Sequence, residues 1–183
     1  MKMHRVSLFL AALVAAPAFA QMGGAPAPGG SLPVQKPTLT PFAREAAIGG
    51  MSEVELGRLA ADKGTDPAVK AFGQRMVDDH TKANADLRAI AAQAGVQLPD
   101  SVGSKQKKTF DKLSALSGAA FDRAYIDDMV ADHKEDVAAF EKASHFAGDS
   151  PFKAFAADKL PTLREHLKMA EEAQASLAKA GGH

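Results

Sequence analysis

Met76-Val77-Asp78-Asp79-His80 returns in the chain as Met129-Val130-Ala131-Asp132-His133, with Met, Val, Asp and His at the same offsets. An aromatic stands eight residues before each histidine, Phe72 in one case and Tyr125 in the other. A third histidine, His166, follows an acid, Glu165. Neutral imidazole is the commonest protein ligand for metals. Histidines carried by separate helices to one level would therefore build a metal centre. Methionine lies close by: Met76 and Met129 each precede a histidine by four residues, and Met169 follows His166 by three. Residues at those separations are neighbours on a helix surface. Imidazole with thioether suits Cu(I), whereas three imidazoles with a carboxylate suit Zn(II) or Cu(II). The expected metal ligands are Glu53, His80, His133 and His166, with Met76, Met129 and Met169 as further donors, and the expected ion is copper or zinc.

The elements that must position these residues read as four long helical segments and one short one. The first opens at Thr40 as N-cap with Pro41 in the first turn and runs to about Asp62. The second opens at Asp66-Pro67 and ends before Gly95. A short segment spans about Ser104 to Leu116, beyond the Leu98-Pro99-Asp100 turn. The third long segment runs from about Gly118 to Ala147 and the fourth from Ser150-Pro151 to about Ala178. Caps, prolines at helix starts and a glycine beyond a helix end mark these boundaries. Pro161 should end or kink the first turns of the last segment, because it lacks a donor and crowds the preceding turn.

Apolar residues recur at three- and four-residue intervals, the stripe of a helix facing a core. The first stripe reads Phe42, Ala46, Gly49, Glu53, Gly57 and Ala60; the second Val69, Phe72, Met76, His80, Leu87 and Ala91. The third reads Ile126, Met129 or Val130, His133, Val137 and Phe140; the fourth Phe152, Phe155, Leu163, His166, Ala170 and Leu177. Three histidines and one glutamate thus sit on faces that are otherwise core. At about 1.5 Å of rise per residue, Glu53 and His80 fall within roughly 5 Å of each other along the axis, and so do His133 and His166. All four lie near mid-helix, so the convergence holds whether the second and third long segments run parallel or antiparallel. The long connection between them could support a crossover.

The ends and the composition bound the setting. Lys2, His4 and Arg5, an apolar run from Val6 to Ala16, and Ala18-Phe19-Ala20 read as a cleaved secretory signal over residues 1–20, with a mature start near Gln21 and a periplasmic or secreted destination. The apolar run falls short of the about 20 residues that span a bilayer, and no second run occurs. Residues 21–39, rich in Gly, Pro and Ala, read as a flexible tether. Residues 40–180 are one domain's worth of chain. Taking Lys2 and Arg5 from 22 basic residues leaves 20 against 22 acidic ones, which offers no footprint for nucleic acid. The chain has no cysteine, so disulfides, thiolate metal sites, thiol nucleophiles and C-type haem attachment are excluded. No nucleophile elbow, P-loop, dinucleotide fingerprint or EF-hand loop occurs. His4, His145 and His183 lie in the signal, near a helix end and at the terminus, and are not expected to ligate.

Taken in order, Gly50 to Gly57, Val69 to Phe72, Met76 to His80, Phe121 to Tyr125, Met129 to His133 and Leu160 to Leu167 resemble an exported bacterial family, the domain of unknown function numbered 4142. The resemblance spans Phe42 to Ala173 and implies an all-α, ferritin-like four-helix bundle in the periplasm or cell envelope, with the short segment as an extra helix between the second and third long ones. It implies no reaction. Ferritin-like di-iron proteins carry Glu-x-x-His pairs, and here Val77, Val130 and Leu163 stand three residues before the histidines, so ferroxidase chemistry is disfavoured. Three readings follow: a non-enzymatic metal-binding bundle in an envelope or stress role, a redox enzyme acting on oxygen species, or a structural and interaction module. In the last, Glu53 would be ionised against a histidine in a buried polar network, with Tyr125 or Asp122 assisting. Asp79, Asp132 and Glu165 point about 100° away from the adjoining histidines and are expected mainly in surface pairs.

Overall fold

The computed structural model describes residues 38–180; the expected signal and all but the last two residues of the expected tether lie outside them. Five helices occupy this stretch: α1 (Thr40–Lys63), α2 (Pro67–Gln93), α3 (Ser104–Ser114), α4 (Gly118–Ser144) and α5 (Pro151–Ala180). Proline falls in the first turn of α1 and α2, where its missing N–H is no loss. The Asp66 carboxylate accepts from the Ala68 N–H at 2.7 Å and caps α2. That helix ends in a Schellman motif: Gly95 takes φ +65°, while the Gly95 and Val96 N–H groups donate to the Ala92 and Ala91 carbonyls at 3.2 and 2.8 Å.

Two expectations at helix ends change. Thr40 is the first helical residue rather than the cap, and Leu39 holds the cap position with no side-chain bond. Leu39 is buried against the core, and apolar burial there takes the place of a polar cap. Pro161 neither ends nor breaks α5, which runs unbroken from Pro151 to Ala180. Its neighbours Leu160 and Leu163 are both buried, and tertiary packing of an apolar face outweighs one lost hydrogen bond.

The helices pair as two hairpins, α1 with α2 and α4 with α5; α2 then packs on α5 and α1 on α4. The direction of α4 follows from its first turns. Asp122 accepts from the Thr65 and Asp66 N–H groups at 3.0 and 2.9 Å and from the Thr65 hydroxyl, which pins the start of α4 to the α1–α2 turn. The α2 chain leaves that end and α4 begins at it, so α2 and α4 are parallel and residues 94–117 cross the length of the bundle. Within that crossover α3 packs on α1 and α4, and the Lys63 ammonium donates to the Ser114 carbonyl at its end. The topology left open by hydrophobic period is therefore a crossover bundle, and Asp122 is a turn anchor rather than a partner of Glu53.

Backbones approach most closely between α1 and α2. A Cβ on Gly57 would stand 2.6 Å from the Gly73 carbonyl oxygen, and one on Gly73 would stand 2.7 Å from that of Gly57. The buried stripe of α1 differs from the expected one in its first half: Ala43, Ala47 and Gly50 are buried, while Phe42 and Ala46 pack at the margin. On α4, Val137 is likewise marginal. The apolar core is split in two. One cluster, including Phe72, Met76, Phe121, Tyr125 and Met129, fills the end near the α1–α2 turn. The other, including Leu87, Phe140, Phe152, Phe155 and Leu163, fills the opposite end. Between them lies a layer of polar side chains.

Candidate metal centre

Each long helix sends one polar residue into that layer: Glu53 from α1, His80 from α2, His133 from α4 and His166 from α5. Relative exposures of 1, 6, 0 and 0 % put all four inside the protein. The histidine ring centroids form a near-regular triangle, with His80–His133 at 5.9 Å, His80–His166 at 5.3 Å and His133–His166 at 5.5 Å. One ring nitrogen from each lies within 4.8 Å of the others.

The outer nitrogen of every ring is held by an acceptor. His80 Nδ1 lies 2.8 Å from Glu53 Oε2, His133 Nδ1 lies 3.0 Å from the Met129 carbonyl oxygen, and His166 Nε2 lies 2.9 Å from Asp79 Oδ2. The Met129 carbonyl and the ionised Asp79 only accept, so His133 Nδ1 and His166 Nε2 carry the proton, and His80 Nδ1 does so when Glu53 is ionised. The other nitrogen of each neutral ring is then a bare lone pair. His80 Nε2, His133 Nε2 and His166 Nδ1 are buried and have no hydrogen-bond partner in the protein, and the same is true of Glu53 Oε1. Glu53 Oε1 lies 3.4 Å from His133 Nε2, out of hydrogen-bond alignment.

Electrostatics follow from burial. Desolvation holds His80 and His133 down at about 4, against Asp79 and Asp132 in the first case and Glu53 in the second, which pull upward. His166 is lowered for the same reason, with Asp79 opposing. Burial also raises the Glu53 carboxyl to about 7, partly offset by His133. The three imidazoles are therefore neutral across the physiological range, the state in which they ligate. Burial would raise Asp79, yet bonds from Arg75 and His166 hold it below the usual carboxylate range. Arg75 also reaches Glu165 at 3.5 Å.

Asp79 therefore does orient a histidine, but one on another helix. It points away from His80, as helical geometry requires, and meets His166 of α5. Carboxylate–imidazole pairs of this kind fix the tautomer and raise ligand basicity. Glu165 is largely exposed and forms a surface pair, as expected. Met76 and Met129 are fully buried in the cluster below the layer, and Met169 packs on its margin. Tyr125 is also buried there, stacked on Phe121 at 5.9 Å, with its hydroxyl unpartnered. Asp132, expected mainly in a surface pair, makes none among the described residues, and Asp136 carried no expectation; each offers an oxygen within 4.8 Å of one on Glu53. Asp136 is marked in the sequence by its place three residues after His133, one helical turn on, the reverse of the Glu-x-x-His order. Burial raises the carboxyls of both.

The family model of a domain of unknown function, DUF4142, matches residues 25–173. No curated protein matches the chain. Two solved structures share the fold. A DUF305 fragment from Deinococcus radiodurans is 12% identical with a TM-score of 0.67, covering 77% of this chain and 97% of its own. A DUF305 protein from Streptomyces coelicolor, named as secreted, is 15% identical with a TM-score of 0.62, covering 75% and 91%.

Proposed function

For a chain that belongs to the DUF4142 family, we propose a metal-binding rather than enzymatic role: one transition-metal ion, zinc or copper, held by His80 Nε2, His133 Nε2, His166 Nδ1 and Glu53 Oε1. The observation that carries this reading is the convergence of three buried imidazoles from three helices, each with one unpartnered ring nitrogen, beside the unpartnered Glu53 Oε1, which lies 3.4 Å from His133 Nε2. Leaving a buried polar group unpaired costs about 1–3 kcal/mol, and four together form an arrangement that a cation relieves and a hydrogen-bond network does not. Three neutral imidazoles and one carboxylate suit Zn(II) or Cu(II). Thioethers from Met76, Met129 or Met169 would extend the set toward Cu(I). Glu53 must shed its proton to ligate, so uptake weakens as pH falls below about 7.

The amino-terminal charged and apolar segments support export to the periplasm or beyond, where the domain would serve an envelope or stress role; the S. coelicolor neighbour is compatible with this. Among the described residues no helix is long and apolar enough to cross a membrane. Metal analysis of protein purified from zinc- or copper-supplemented growth tests the proposal. One ion per chain is expected, with stoichiometry near zero in His133→Ala. Metal-free protein that takes up neither ion at neutral pH would rule the centre out and leave a structural polar layer.

A further inference from the structure

Beside the imidazoles, the carboxylates of Glu53, Asp132 and Asp136 make a second constellation, with one oxygen from each within 4.8 Å of the others. Oxygen ligands sit about 2.0–2.6 Å from hard divalent ions, so oxygens sharing one ion are at most roughly 4–5 Å apart. We propose that these three carboxylates bind a second cation, a hard divalent ion of the Mn2+ class, and that Glu53 spans this ion and the one on the imidazoles.

Acidic residues gather on many surfaces without binding anything, but two observations set this group apart. Glu53 is 1 % exposed, its Oε1 has no hydrogen-bond partner, and one of its oxygens stands within 4.8 Å of those on Asp132 and Asp136. Once ionised, a carboxylate so placed calls for a cation. No lysine or arginine among the described residues makes an ion pair with Asp132 or Asp136. Lys105, which lines the same cleft, reaches Glu135 instead, at 3.9 Å. Asp128, Asp132 and Asp136 recur at four-residue intervals along one face of α4, a like-charge spacing that destabilises a helix unless something neutralises it.

Access is also present. A cleft of about 230 Å³ between α1, α3 and α4, lined by Ser52, Thr109, Asp128, Asp132 and Glu135, opens onto Asp132. Glu53 and Asp136 line, with His80, a separate pocket of about 30 Å³ on the other side, so the cleft brings solvent to the Asp132 side of the group. An all-oxygen donor set selects Mg, Ca or Mn over the borderline ions that imidazole prefers, so the two positions would take different metals. The inference shares one residue, Glu53, with the imidazole reading and otherwise stands on separate side chains.

The test is a Mn2+ titration of the full chain, metal-free and zinc-loaded, following the EPR signal of free Mn2+. One saturable Mn2+ per chain is expected, with affinity weakened by about tenfold or more in Asp132→Asn and Asp136→Asn and zinc stoichiometry unchanged. Asp100→Asn, on the surface, should bind as wild type. Glu53→Gln should weaken both ions, and a variant that lost zinc while keeping Mn2+ would overturn the shared carboxylate. Both aspartate changes keep side-chain shape and remove repulsion, so far-UV circular dichroism should be unchanged. Absence of saturable Mn2+ in wild type, or wild-type affinity in both aspartate variants, overturns the site. If zinc fails to bind while Asp136-dependent Mn2+ binding persists, the imidazole reading falls and this one stands.

Discussion

Asp79 shows how one side chain can decide the state of another. Its bond to His166 Nε2 leaves Nδ1 as the inward lone pair, and Asp79→Asn removes the charge that favours this tautomer. Metal affinity should fall by about 10–100-fold, measured by competition with a chromogenic chelator, while helicity is retained. A second expectation concerns acid. His133 stands at about 4 in the folded protein against 6.5 as its ordinary value, so the unfolded chain binds more protons than the native one between those values. Its contribution is complete above pH 6.5 and is lost as pH falls towards 4. Glu53, raised from 4.5 to about 7, has the opposite sign: its contribution is present below pH 4.5 and lost as pH rises through 7. In metal-free protein, acidification from pH 7 to 4.5 should therefore cost wild type roughly 2 kcal/mol more than His133→Gln, as read from urea midpoints at each pH.

At the scale of elements, the contact between α1 and α2 is the most exacting. A methyl on Gly57 meets a backbone oxygen at 2.6 Å, and backbone cannot rotate aside as a side chain can. Gly57→Ala should lower stability by about 1–3 kcal/mol, seen as an earlier thermal midpoint with unchanged helical content at low temperature. Helix boundaries were legible to within about three residues, because prolines, Asp66 and Gly95 punctuate the chain. The facing of α2 and α5 was legible too, because bulky residues alternate with charged ones. In α1 the stripe slipped by one position before Glu53: Ala43, Ala46 and Ala47 are too alike for hydrophobic period to choose among them. The common level of the three histidines, with Glu53 against two of them, could be read from rise per residue, since mid-helix positions meet under either topology. The Asp79–His166 and Asp122–Thr65 bonds could not, because each joins helices whose order and direction no single-helix pattern encodes.

At the scale of the described domain, two hairpins pack side by side around a core divided by a polar waist, and stability should report on what that waist holds. An ion bound only by the folded state adds about 4 kcal/mol at a thousandfold excess over its Kd. For a domain of this size, stripping metal with a chelator should lower the melting temperature by about 10 °C, and His133→Ala should show no such difference. The proposed ligands are shared evenly between the hairpins: Glu53 and His80 on one, His133 and His166 on the other. Each half supplies only two of the four, and none of the three histidines is more than 6 % exposed. An ion seated there could depart only when the two halves swing apart, so its residence time would be set by the breathing of the bundle rather than by the strength of any coordinate bond. That is the behaviour of a strongbox, suited to long-term sequestration and poorly suited to rapid hand-over between carriers.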